Sequence, residues 1–186
     1  LKSDDPKFNE KNIYKPSSPY SASKAASDHL VRAWNRTFNI NYIITNCSNN
    51  YGPYQNEEKF IPKIIRSIEK QQKIPIYGSG TQIRDWLYVE DHAEALIHIM
   101  YSGVLNKTFC IGGNNEIKNI DIVHRICDEM SKLGYSKTFD LIEHVDDRPG
   151  HDLRYAIDTK KIECELGWKN KYNFSEGLKK TLNWYL

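Results

Sequence analysis

The sequence predicts an α/β fold. Short β-branched runs alternate along the chain with longer segments of helical periodicity, and Gly, Pro and Asn stand at the junctions between them. No segment repeats and no low-complexity linker divides the chain.

The first helix begins at Ser17-Ser18-Pro19, because a serine hydroxyl can cap free amides and proline tolerates the first turn. Ala22, Ala26, Leu30 and Ala33 then recur at helical spacing to about Phe38, and Asn39 to Asn41 break the pattern. Tyr42 to Cys47 reads as a buried parallel strand. Ser48 to Glu58 reads as a polar loop turning at Gly52-Pro53. Lys59 to Gln71 places Ile61, Ile64, Ile65 and Ile68 on one helical face. Strands are expected at Ile74 to Tyr77 and Gln82 to Val89, followed by a helix over Glu90 to Tyr101 with acidic residues in its first turn. A strand at Thr108 to Ile111, closed by Gly112-Gly113, precedes an amphipathic helix over Ile120 to Leu133. The last elements are strands near Leu141 to His144 and at Leu153 to Ala156, then helices at Thr159 to Leu166 and Ser175 to Tyr185.

A chain of 186 residues can bury one core, at most a domain with a subdomain. Its formal net charge of +2 comes from scattered basic residues, with no stripe or block suited to nucleic acid. No apolar run is long enough to span a bilayer, and no signal peptide is expected at the start. Cys47, Cys110, Cys127 and Cys164 form no C-x-x-C pair, and common zinc spacings are absent. They read as buried free thiols of a reducing, cytoplasmic protein, with no metal site. The chain opens at Leu1 into a polar stretch, Lys2 to Lys11, which reads as a loop and hints at truncation.

Tyr20 and Lys24 share a face of the first helix at i, i+4. An ordinary tyrosine titrates near pH ~10 and is a poor base at neutrality. A neighbouring ammonium favours the phenolate, which could then remove a hydroxyl proton as hydride leaves the same carbon. The spacing alone is weakly specific, since about one such pair is expected by chance in a chain this rich in both residues.

The surrounding text is more specific. Residues 16–34 (PSSPYSASKAASDHLVRAW) closely resemble the active-site helix of extended short-chain dehydrogenase/reductases, specifically the dTDP-glucose 4,6-dehydratases. The likeness continues in order through residues 46–54 (NCSNNYGPY), 84–92 (RDWLYVEDH), 111–116 (IGGNNE), 147–152 (DRPGHD) and 154–158 (RYAID).

This resemblance implies the latter part of an NAD-binding Rossmann-type domain plus a small mixed α/β substrate-binding lobe. Residues 1–54 would end the Rossmann domain. Residues 55–186 would be mainly the sugar-nucleotide lobe, with segments near 88–113 returning to the Rossmann domain. Tyr20 would act as base at the sugar C4 hydroxyl, and Lys24 would tune it and hold the nicotinamide ribose. Asn50 would touch NAD and Asn49 the substrate. Lys59, Phe60, Pro75, Ile76 and Tyr77 would line the nucleotide site. Arg84, Asn119 and the loop Asp147, Arg148, Pro149, Gly150 and His151 would hold the diphosphate and nucleoside. Guanidinium forks and histidine are donors a diphosphate needs, although a surface arginine or an ordinary Pro-Gly turn explains each residue singly.

Phe60, Ser79 and Leu153 depart from the leucine, aspartate and arginine common in that family. The family's glycine-rich pyrophosphate turn and its adjacent Asp-Glu elimination pair do not occur here, since Asp4-Asp5 lacks the glutamate and a preceding strand. The resemblance thus implies the later part of an NAD-dependent enzyme that converts dTDP-glucose to a 4-keto-6-deoxy sugar, inactive by itself, with a homodimer formed across the Tyr20 helix. An epimerase or decarboxylase of the same superfamily, or a non-catalytic sugar-nucleotide-binding fragment, are the alternatives.

Overall fold

In the computed structural model, which describes residues 1–2, 4–147 and 150–186, helices and strands alternate as the periodicity predicts. In chain order they are α1 (Pro19–Phe38), β1 (Ile43–Cys47), β2 (Asn49–Tyr51), α2 (Phe60–Glu69), β3 (Ile74–Tyr77), β4 (Ile83–Tyr88), α3 (Val89–Tyr101) and β5 (Lys107–Ile111). Then come β6 (Glu116–Lys118), α4 (Asn119–Lys132), a 3-10 turn (Phe139–Leu141), β7 (Ile142–Val145), β8 (Arg154–Tyr155), α5 (Lys160–Leu166) and α6 (Phe174–Tyr185).

Local chemistry sets the ends of α1. The Ser18 hydroxyl accepts from the Ser21 amide, the Ser21 hydroxyl accepts from the Ser18 amide, and Pro19 opens the first turn. At the other end Asn39 adopts a left-handed φ of 54° and donates its N–H to the Asn35 carbonyl.

Among the described residues the strands form three small sheets. β1 runs parallel to β5, from Ile43 beside Lys107 to Cys47 beside Ile111. One residue later the chain enters a second sheet, where β2 pairs with β4 in parallel, Asn49 opposite Trp86. β4 also pairs with β6 in antiparallel and with β8 in parallel. The third sheet is β3 beside β7 in parallel.

β4 separates two packed regions because neighbouring side chains on a strand point to opposite faces. Trp86 and Tyr88 join the larger core, in which the isoleucines of α2 meet Ile122, Val123, Ile126 and Met130 of α4 and Leu178 and Leu182 of α6. Leu87 joins a smaller cluster of Ala95, Ile99, Phe109, Ile111, Ile162 and Trp168 over the β1–β5 sheet. Each fully buried isoleucine contributes ~1.5–3 kcal/mol relative to exposure.

Two buried carboxylates tie loops to this frame. Asp85 accepts the amides of Gly113 at 3.1 Å and Asn115 at 2.8 Å. Burial pushes its carboxyl above the usual range, and those two donors act against the shift. A Cβ on Gly113 would lie 1.8 Å from the Trp86 carbonyl oxygen, so only glycine lets that loop approach β4. Asp91, at the start of α3, accepts the amides of Lys171 and Tyr172 at 3.0 and 3.1 Å.

Three expectations need correction. The polar segment 48–58 contains β2, and the stretch between β5 and α4 contains β6; both strands are three residues long and exist by pairing with β4. The four cysteines are free, but only Cys110 and Cys127 are buried; Cys47 is half-buried and Cys164 is exposed on α5.

Candidate active site

Tyr20 and Lys24 lie in successive turns at the start of α1, and both are exposed; Tyr20 is 76% accessible. A cavity of about 860 Å3 opens beside this helix, lined by Lys24, Asp28, Tyr14, Asn46, Cys110 and Tyr155 among others. Asp28 organises its wall: its carboxylate accepts from the Tyr14 hydroxyl at 2.7 Å and from Asn46 Nδ2 at 3.1 Å. The Arg32 guanidinium lies 5.7 Å from the Tyr14 ring centroid. Burial, reinforced by Asp28, raises the Tyr14 phenol above its ordinary value. Burial pushes Tyr155 up to about 12 and the Cys110 thiol up to about 12. None of these three is suited to take a proton at neutral pH.

Asn49 and Asn50 sit where the chain crosses from the first sheet to the second. Asn49 is exposed and Asn50 half-buried. Asn50 Nδ2 donates to the Ser48 carbonyl at 3.1 Å and to Cys47 Sγ at 3.3 Å, while its Oδ1 lies 2.8 Å from His92 Nδ1 on the first turn of α3. Burial raises the Cys47 thiol, while the Asn50 donation and the positive charge of Lys24 pull it back.

A second group gathers at the ends of β3 and β4. Tyr77 is partly exposed, its ring edge-on to His151 with centroids 6.4 Å apart. His151 Nδ1 lies 2.6 Å from Asp147 Oδ1, and Gln82 Nε2 donates to Asp147 Oδ2 at 2.8 Å. Arg84 donates to the Ile83 and Asp152 carbonyls, both at 2.8 Å. Asn119 opens α4 and gives its backbone N–H to the Gln82 carbonyl at 2.9 Å. Gly150 takes a left-handed φ of 70°, a conformation glycine adopts without strain. Arg148 and Pro149 lie outside the described residues.

The remaining expected residues are spread along one edge of the larger core. Lys59 is exposed at the start of α2, and Phe60 stacks on Trp86 with centroids 6.0 Å apart. Pro75 is half-buried in β3. Ile76 is 1% accessible and packs within the core. Three residues that hold this geometry, Gln82, Asp85 and His92, were not singled out from the sequence as site residues. Each acts through a partner distant along the chain, which no local spacing discloses.

A family model described as GDP-mannose 4,6 dehydratase matches residues 2–181. Among curated proteins, dTDP-glucose 4,6-dehydratase of Escherichia coli is 55% identical over 97% of this chain and 52% of its own length. The Shigella flexneri protein of the same name is 56% identical over 97% of this chain and 51% of its own length. Among solved structures, dTDP-glucose 4,6-dehydratase of Bacillus anthracis in complex with NAD superposes with a TM-score of 0.88 at 41% identity, covering 98% of this chain and 56% of that one. The Streptomyces venezuelae enzyme, solved with NAD and a second ligand, gives 0.91 at 38% identity, covering 98% and 55%. The chain thus spans about half the length of the curated relatives it matches.

Proposed function

Because the chain belongs to the GDP-mannose 4,6 dehydratase family, we propose that it forms the later half of an NAD-dependent dTDP-glucose 4,6-dehydratase. Identity of 55% to dTDP-glucose 4,6-dehydratase over 97% of the chain carries this reading and favours dTDP-glucose over the GDP sugar of the family's description. The cavity that Lys24 lines beside α1 suits a dinucleotide held there.

The chemistry NAD supplies when bound is reversible hydride acceptance, from sugar C4 and back to C6 after water is lost across C5 and C6. Tyr20 takes the C4 hydroxyl proton as the C–H bond breaks, and the Lys24 charge favours the phenolate and holds the nicotinamide ribose. Asn50 contacts the cofactor and Asn49 the sugar. Arg84, Asn119, Asp147, Arg148, Pro149, Gly150 and His151 grip the diphosphate and nucleoside, with Lys59, Phe60, Pro75, Ile76 and Tyr77 along the nucleotide. The elimination acid and base come from outside these residues, so this chain alone is inactive.

The same reading assigns residues 1–54 to the end of a Rossmann domain and 55–186 mainly to the substrate lobe, with segments near 88–113 returning to the first. Four unpaired thiols support a cytoplasmic setting. A homodimer across α1 is supported by the exposed Leu30, Trp34 and Phe38 on that helix.

The test is turnover by the full-length protein on dTDP-glucose with NAD, read as formation of the 4-keto-6-deoxy sugar. A folded full-length protein that makes none would overturn the assignment.

A further inference from the structure

Asn50 and His92 stand 42 positions apart and meet at 2.8 Å, Oδ1 to Nδ1. A carboxamide has two N–H donors and one oxygen with two lone pairs. Both Asn50 hydrogens are engaged within its own turn, on the Ser48 carbonyl and Cys47 Sγ. The atom toward His92 is therefore Oδ1, and the imidazole must donate to it from Nδ1. Burial lowers the His92 pKa, which favours the neutral ring, and the bond to Oδ1 places that ring's proton on Nδ1. His92 itself is fixed by the first turn of α3, which Asp91 pins to the 171–172 segment.

These bonds leave one lone pair on the Asn50 side chain, on Oδ1. Without the imidazole N–H the amide keeps only its two bonds to residues 47 and 48, and its oxygen loses the donor that sets its direction. We infer that His92 is a positioning residue: it locks the Asn50 carboxamide so that the remaining Oδ1 lone pair is presented as an acceptor to an amide or hydroxyl donor of the bound dinucleotide. This rests on the NAD-binding reading of Asn50 given above.

The experiment is a double-mutant cycle on the full-length protein stripped of nucleotide, with NAD affinity and dTDP affinity each measured by calorimetry. His92→Phe should weaken NAD binding about three- to tenfold, the loss of one neutral hydrogen bond, with dTDP affinity changed less than twofold. His92→Asn places an amide N–H where Nδ1 stood and should recover most of the loss. On an Asn50→Ala background, His92→Phe should have no further effect on NAD. Equal losses on both backgrounds, or unchanged NAD affinity in His92→Phe, overturn the inference while leaving the function standing. If His92→Phe fails to fold, His92→Leu takes its place in the same cycle. Wild-type protein that binds no NAD overturns the functional reading itself, and this inference with it.

Discussion

Helices α1 and α2 differ in what they bury: α2 buries six of its ten residues, whereas α1, over twenty residues, buries none. Leu30, Trp34 and Phe38 of α1 are 59%, 55% and 60% accessible, while Ile61, Ile65 and Ile68 of α2 are fully enclosed. The strands nearest them differ likewise. Among the described residues β1 pairs with β5 alone, whereas β4 has β2, β6 and β8 around it. The region proposed to grip the sugar nucleotide is thus built from its own core. The region proposed to carry the chemistry presents, among the described residues, an open strand edge and an uncovered helix.

The comparison is broken most forcefully at Tyr20. In the full-length protein Tyr20→Phe should lower turnover about 10²- to 10⁴-fold, the usual range for a lost general base. The Kd for dTDP-glucose should stay within twofold, because the proposed grip and the proposed chemistry reside on different elements. Steady-state kinetics and calorimetry together check this.

Next in size is the stability contrast. Ile65→Ala should cost ~2–5 kcal/mol in urea unfolding of the 186-residue chain. Leu30→Ala on α1 should change stability by less than about 0.5 kcal/mol in the same chain. Equal costs would show that α1 is packed after all.

Arg154 sharpens the comparison through pH. Its guanidinium grips Glu116 at 2.6 and 3.1 Å and donates to the Asp5 carbonyl, joining β8 to β6 and the N-terminal segment. Hydrogen bonding from Arg154 holds the Glu116 carboxyl below the usual carboxylate range, against a smaller effect of burial. A depressed carboxyl stabilises the fold above its unfolded pKa of about 4.3 and loses that contribution as pH falls through the lower, folded value. Arg154→Met should therefore cost ~1.5–3 kcal/mol at neutral pH, with the gap to wild type constant above about pH 6 and closing below about pH 4. A gap independent of pH in thermal melts would contradict the ion pair.

The smallest effect is expected at Gln82. Removing its donation to Asp147 in Gln82→Ala should weaken dTDP-glucose binding about two- to tenfold, with kcat at saturation unchanged, as checked by calorimetry and kinetics.

Local chemistry was legible wherever neighbours in sequence are neighbours in space. The Ser18-Pro19 start, the isoleucine stripe of α2 and the acidic first turn of α3 were all readable because a helix joins residues three and four apart. The two three-residue strands were not, since β2 and β6 contribute too few residues for periodicity and depend on β4, more than thirty positions from each in register. The same holds within the site. Tyr20 and Lys24 could be paired on a helix face, but the bonds of His92 to Asn50 and Gln82 to Asp147 span 42 and 65 positions. Ile76 shows the converse: its strand was readable, yet not that its side chain turns into the core.

The most direct test of the account follows one atom. The full-length protein should be given dTDP-glucose carrying deuterium at C4, and the product examined by NMR. Tyr20-assisted hydride removal with return to the same sugar predicts deuterium at C6 of the 4-keto-6-deoxy product, and no product from Tyr20→Phe. Deuterium retained at C4, or full turnover by Tyr20→Phe, would contradict it.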